Sequence, residues 1–246
     1  MSYATKTEKG PRIHNEDNCL ALQFDLGVFL AVADGMGGHS AGAVASELTV
    51  KSVYEGIRSP HSDNCEALLK ELFKNANRTV FSASKQAPNY AGMGTTLVCA
   101  IAKRDMFFAA NVGDSRLYLY RNASGVLFPV TVDHSYVQEL VNLGLITAEE
   151  ARVHPHRNLI TRAVGTADLV DLDLFFDYLY DDDILILCSD GLHGVVGESE
   201  LLDAIKRKPD VDSLCDELIR LALENDSRDN ITVAIYKNDG GCRHDR

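Results

Sequence analysis

The sequence predicts a layered α+β fold, and three observations carry that expectation. Four strand-like runs between Thr95 and Val130 are separated only by the short turns Lys103-Arg104-Asp105, Gly113-Asp114-Ser115 and Asn122 to Gly125. Such turns leave no room for crossover helices, so the runs are expected to form an antiparallel meander. Helix signatures come in pairs instead of alternating singly with strands, which argues against a doubly wound parallel sheet. With 246 residues, 46% of them hydrophobic, the chain can bury a sizeable core.

Taken in order, strand-like runs at Cys19 to Gln23 and Val28 to Ala33 lead into Gly35-Met36-Gly37-Gly38. Ser40 can then cap a helix with Ala41, Val44, Ala45 and Leu48 on one face. A second helix is expected over Asp63 to Lys85, because Asp63 and Glu66 have capping-box spacing and Leu68, Leu69, Leu72, Phe73, Ala76 and Val80 form a stripe. After the meander, Ser135-x-x-Gln138 and Thr147-x-x-Glu150 open two short helices around Gly144, followed by polar His154-Pro155-His156-Arg157-Asn158. This segment reads as an inserted, partly exposed subdomain. Strands return at Val170 to Tyr178 and Asp183 to Cys188, helices at Glu198 to Lys206 and Asp212 to Asn225, and a strand at Ile231 to Tyr236. No repeat, Pro/Ser linker or low-complexity tract divides residues 1–246, so a single domain is expected, with 238–246 a flexible tail.

Composition excludes several classes of function. The longest uninterrupted apolar runs, Val28 to Ala33 and Leu97 to Ala102, are six residues each, too short to span a bilayer. The N-terminus Met1-Ser2-Tyr3-Ala4-Thr5-Lys6 lacks the apolar core of a signal peptide, and six Cys without a CxxC pair fit free thiols in a reducing cytoplasm. With 24 basic against 36 acidic residues and a net charge of -12, nonspecific nucleic-acid binding is not expected.

The position of the acids is more informative than their number. Asp34 ends the run Val28 to Ala33, Asp190 follows Ile184 to Ser189, and Asp229 comes just before Ile231 to Tyr236. Carboxylates beside a packed core are costly unless paired, so three at one sheet end would need cations. Few Lys or Arg stand nearby in sequence, and the surrounding donors are oxygens, without Cys pairs or an HExxH helix. That set favours Mg2+ or Mn2+ over Zn2+. Taken singly, each Asp reads better as a turn residue. Asp114 in Gly113-Asp114-Ser115-Arg116 is fully explained by a hairpin turn, and Glu16-Asp17 by solvated charge before a strand. The residues alone reach an oxygen-ligated metal site and no substrate.

The motifs, read together, are more specific: Arg12-Ile13-His14-Asn15-Glu16-Asp17-Asn18, Val32-Ala33-Asp34-Gly35-Met36-Gly37-Gly38-His39, Gly92-Met93-Gly94-Thr95-Thr96, Asn111-Val112-Gly113-Asp114-Ser115-Arg116, Ser189-Asp190-Gly191 and Ser227-Arg228-Asp229-Asn230-Ile231-Thr232. In this order, from Arg12 to Val233, the series resembles the metal-dependent protein serine/threonine phosphatases of type 2C, the PPM family, in its bacterial branch. The resemblance implies a four-layer α-β-β-α sandwich of two antiparallel sheets flanked by helices, with 135–161 as a flap beside the active site. It implies that Asp34, Asp190 and Asp229 hold one ion, that Asp34 and the Gly35 carbonyl hold a second, and that Asp114 with Asp190 holds a weaker third. The ions would be Mn2+ or Mg2+.

By the same resemblance, Glu16 and Asp17 orient water and Arg12 grips the substrate phosphate through its planar fork. Hydrolysis of phosphoserine and phosphothreonine would proceed by direct attack of a metal-bridging water. Members of the family often have His directly after Asp-Gly as leaving-group acid; here that position is Met36, and His39 is the substitute candidate. No Cys has an Arg six positions later, so the cysteine-phosphatase signature is missing. The implied partners are phosphorylated proteins and an opposing Ser/Thr kinase, met by a monomer away from membranes and nucleic acid. Two other readings remain: a nucleotide- or phosphate-binding module using the Gly-rich strand-to-helix turn, or a catalytically dead docking homologue. The first lacks a GxxxxGK[ST] motif and would place Asp34 against its phosphate.

Overall fold

The computed structural model describes residues 2–37, 41–59, 62–103, 105–208 and 210–240. One sheet contains β1 (Ser2–Glu8), β7 (Arg116–Arg121), β8 (Val126–Pro129), β10 (Ile184–Cys188) and β11 (Ile231–Lys237), in the order β1-β11-β10-β7-β8. The other contains β2 (Asp17–Phe24), β3 (Gly27–Met36), β5 (Leu97–Lys103), β6 (Met106–Val112) and β9 (Asp173–Tyr178) in the order β2-β3-β5-β6-β9, with β4 (Gly94–Thr95) paired to β3. All the strand pairs are antiparallel.

Three apolar cores separate four layers. Val28, Leu30, Val32, Val98 and Ala100 of the second sheet meet Leu117, Leu119, Leu185, Leu187 and Tyr236 of the first between the sheets. The alternate residues Phe29, Ala31, Ala33, Cys99 and Ile101 face outward against α1 (Ala41–Arg58) and α2 (Cys65–Ser84). Ile184, Ile186, Val233 and Ile235 likewise face α6 (Glu198–Arg207) and α7 (Val211–Glu224). Strands covered on both faces need apolar residues at every position, which is why Val28 to Ala33 carries no alternation of polarity. This is the expected α-β-β-α sandwich.

Several local expectations change. The runs from Thr95 to Val130 form two hairpins, β5–β6 in one sheet and β7–β8 in the other, so no single meander exists. Residues 113–115 carry the chain across from sheet to sheet, and Asp114 therefore sits in a crossover and not in a hairpin turn. The expected strand Val170 to Tyr178 begins only at Asp173. Helix α2 is capped by Asn64, whose side chain accepts from the Ala67 N–H, in place of Asp63. Ser40, expected to cap α1, and His39 lie outside the described residues. Asn238, placed in the loose tail, is buried, and its N–H donates to the Asp183 carbonyl at 2.9 Å. Residues 241–246 lie outside the described residues.

The inserted segment holds α3 (Tyr136–Asn142), capped by Ser135, and α4 (Ala148–Val153), with a reciprocal capping box between Thr147 and Glu150. Val137 is the only buried residue of α3, and α4 has none. A narrow neck closes the insertion, where Ser135 bridges Ile160 and the Tyr136 N–H donates to the Leu159 carbonyl at 2.8 Å.

Candidate metal and phosphate site

Six strands that are apolar between the sheets turn polar at the same end. Continuing each inward-facing alternation by two residues leads from Cys19 to Asp17, from Val32 to Asp34, from Val98 to Thr96, from Leu117 to Ser115, from Leu187 to Ser189 and from Ala234 to Thr232. These residues bond to one another across the gap. Ser189 Oγ donates to Asp17 Oδ2 at 2.8 Å and accepts from the Thr232 N–H at 3.0 Å. Thr96 Oγ1 and Ser115 Oγ are 2.7 Å apart, and Thr96 Oγ1 also accepts from the Asp34 N–H at 2.9 Å. The result is a polar floor in which each buried hydroxyl has a partner.

Carboxylates stand on this floor. Asp17 and Asp34 occupy directly opposed positions of the β2–β3 pair, a placement that like charges disfavour. Burial raises the Asp34 carboxyl well above its ordinary range, and the negative charges of Asp17, Asp190, Asp114 and Asp229 push it further. Asp17, Asp114 and Asp190 are raised too, in each case first by burial and then by acidic neighbours, although Ser189 and Thr232 hold Asp17 down in part. Asp190 sits at the start of α5 (Asp190–His193); its carboxyl is partly stabilised by a hydrogen bond with Asp34, which needs one shared proton. Asp190 Oδ1 is buried with no partner among the described residues.

The same five residues therefore share one electrostatic neighbourhood, although no three His, Cys, Asp or Glu side chains among those described meet at a single ligand-like point. The shared negative charge and the orphaned Asp190 oxygen weigh more here, because a cation is a well-matched partner for a buried acceptor surrounded by like charge. The oxygen-only donor set fits a hard divalent ion.

Arg12 approaches from the loop after β1. Its Nη2 donates to Asp229 Oδ2 at 2.6 Å and its Nε to the Arg228 carbonyl at 2.9 Å. A cation does stand beside the acids, contrary to the expectation from sequence spacing. Asn230 shapes this loop: it is buried, its Oδ1 accepts from the Glu16 N–H at 2.8 Å, and its Nδ2 donates to the Lys9 and His14 carbonyls. Glu16 is half-buried, and desolvation raises its carboxyl against the pull of Arg12. Its backbone carbonyl accepts from the Gly35 N–H at 3.1 Å. Gly35 tolerates no side chain, since a Cβ there would lie 2.1 Å from the Gly42 carbonyl oxygen.

The structure thus brings together Arg12, Glu16, Asp17, Asp34, Gly35, Asp114, Asp190 and Asp229, while His39 lies outside the described residues. Sequence reasoning missed the floor hydroxyls and the organising role of Asn230. Their signal was present: each hydroxyl follows the last inward apolar residue of a strand at a spacing of two. An apolar groove of about 380 Å³ between β8 and β9, lined by Phe128, Phe175 and Phe176, holds none of these acids.

Known proteins resemble this chain in sequence and fold. The protein phosphatase 2C family model matches residues 10–233. The serine/threonine phosphatase stp of Listeria monocytogenes is 38% identical over 245 residues, covering 97% of this chain and 96% of that protein. The crystal structure of a bacterial serine phosphatase superposes with a TM-score of 0.91 at 35% identity, over 98% of this chain and 99% of that one. The catalytic domain of the phosphatase PstP, solved in complex with 2 manganese ions, gives 0.84 at 34% identity, over 95% and 96% of the two chains. On this agreement of motif order, site and fold, the chain belongs to the protein phosphatase 2C family.

Proposed function

We propose that the chain is a metal-dependent protein phosphatase that hydrolyses phosphoserine and phosphothreonine in proteins, opposing a Ser/Thr kinase. The supporting observation is the buried cluster of mutually repelling carboxylates with an unpartnered Asp190 oxygen, flanked by the guanidinium of Arg12. In this reading Asp34, Asp190 and Asp229 hold one divalent ion, Asp34 and the Gly35 carbonyl a second, and Asp114 with Asp190 a weaker third. Mn2+ or Mg2+ bound there supplies positive charge that acidifies water and offsets the charge on phosphate.

The chain's own groups do the rest. Arg12 turns its planar donor fork to two phosphate oxygens, and the loop pinned by Asn230 fixes where that fork sits. Asp17, anchored by Ser189, and Glu16 orient the attacking water. His39 is the candidate to protonate the departing serine or threonine oxygen. Among the described residues a cysteine nucleophile is disfavoured by the thiols themselves: burial raises Cys19, Cys65, Cys99, Cys188 and Cys215, so none of these five is a ready thiolate. The whole chain acts as one catalytic domain with 135–161 as its flap.

Phosphate release from a phosphothreonine peptide, measured with Mn2+ and again with excess EDTA, tests the reading. Release that needs the ion supports it, and release that survives exhaustive chelation sinks it.

A further inference from the structure

The crossover that carries Asp114 is gripped from several directions, and two of the gripping groups are histidines with no part in the reaction above. The Gly113 N–H donates to His134 Nδ1 at 3.1 Å, and its carbonyl accepts from the His134 N–H at 3.0 Å and from Asn111 Nδ2 at 3.1 Å. His193, three residues after Asp190, donates from Nε2 to the Asp114 carbonyl at 3.0 Å. Gly113 lies at φ 112°, and a Cβ there would stand 2.6 Å from the Thr96 Cβ, so the bare backbone itself packs on the floor.

His134 is 6% exposed and stands in the neck of the flap, where its carbonyl accepts from the Thr161 N–H at 2.8 Å. Because Nδ1 accepts from Gly113, the proton of the neutral ring resides on Nε2, which faces Asp173 Oδ2 at 3.1 Å. Arg162 Nη1 lies 3.2 Å from the same Nε2, but its firm acceptor is Asp173 Oδ1 at 3.0 Å. Asp173 is directly opposite Asn111 in the β6–β9 ladder, so the carboxylate that orients the ring is itself fixed to the strand leading into the crossover. Asp173, His134 and Gly113 form a carboxylate, imidazole and amide relay that ends one residue before Asp114.

We propose that His134 is a positioning residue: by gripping Gly113 from the flap neck it fixes Asp114 where that carboxylate can hold an ion. The proposal rests on the reading of Asp114 as an ion ligand. It goes beyond that reading in assigning the preorganisation of Asp114 to a residue that touches neither ion nor substrate.

The test is a set of Mn2+ binding isotherms, by calorimetry, on wild type, Asp114→Asn, His134→Ala and the double variant, with amide exchange recorded on the metal-free proteins. The expected wild-type isotherm includes a weak site that Asp114→Asn removes. His134→Ala should weaken that site about tenfold or more, leave tighter sites unchanged, and add nothing in the Asp114→Asn background. Exchange at the Gly113 and Thr161 amides should accelerate. His134→Asn, whose side-chain oxygen can accept from Gly113, should recover most of the affinity. Equal weakening of every site, or additive losses in the double variant, would overturn the proposal and leave His134 as ordinary core. If His134→Ala does not fold, Asp173→Asn should show the same selective weakening, and an unchanged isotherm there would overturn the proposal. Wild-type protein that binds tight Mn2+ but has no Asp114-dependent site overturns this proposal alone; protein that binds no Mn2+ overturns the metal reading with it.

Discussion

At the residue scale, the Arg12 guanidinium faces two partners, the Asp229 carboxylate it already holds and the phosphate proposed for it. Its proposed contribution to phosphate binding would be a pair of charge-assisted hydrogen bonds, about 1.5–3 kcal/mol each. Arg12→Ala should therefore lower kcat/KM for phosphopeptides by about a hundredfold or more, and Arg12→Lys should recover little, because a point charge cannot reproduce the fork. Unchanged steady-state kinetics in both variants would reduce Arg12 to an exposed ion pair. For the acids the balance differs. Asp34 is surrounded by four carboxylates, so Asp34→Asn relieves repulsion while removing the proposed bridging ligand. Turnover should fall at least about a hundredfold, the scale of several kcal/mol of lost transition-state stabilisation, while the thermal midpoint of the metal-free protein holds or rises. A variant that loses cooperative unfolding along with activity would argue that Asp34 is structural.

At the scale of elements, the cap of α2 gives a direct check, because Asp63 and Asn64 are adjacent and only Asn64 bonds the first turn. Asn64→Ala should cost about 1 kcal/mol in urea unfolding and Asp63→Ala almost nothing. The flap makes a second prediction. Its helices bury only Val137, while Tyr136, His154 and His156 cluster with ring centroids 5.7–6.2 Å apart. A double His156→Ala, Arg157→Ala variant should change turnover of phosphopeptides several-fold more than that of p-nitrophenyl phosphate, which is too small to lie across the flap. Equal changes would deny it a recognition role. Long periodic segments such as α2 and α7 were legible in the sequence because their stripes specify a buried face. The split of the meander was not, since Gly113-Asp114-Ser115 has turn chemistry whether the next strand pairs back or crosses to another sheet. Strand β1 escaped notice because Thr5 and Lys6 weaken its pattern, and it is held by pairing with β11, some 230 residues away.

At the scale of the molecule, the acids should make stability depend on pH. Asp17, Asp114 and Asp190 have folded values above the unfolded ones, so the folded protein binds the extra protons and stability falls as pH rises through that interval. His193, held at about 4 by burial, opposes this only below the ordinary imidazole value of about 6.5. Between about pH 6.5 and the raised Asp114 value of about 8, the urea midpoint of metal-free protein should drop, and saturating Mn2+ should abolish the drop. A flat profile without metal would mean that the carboxylates are not crowded. Only through the family that its motifs resemble did the sequence make the sandwich and the five acids legible, since Asp17 and Asp114 read singly as solvated charge and turn; the floor beneath them depends on which ends of six strands coincide, and only the assembled sheets decide that. The β1–β11 ladder has a consequence for a growing chain. Arg12 and Asp229 touch across 217 residues of sequence, each carried at the end of one ladder strand. At about 5–20 residues per second, translation would leave Arg12 without that partner for roughly 10–40 s. A nascent chain on the ribosome would hold most of its sheets and no complete site, so dephosphorylation would begin only after the last strand has been made.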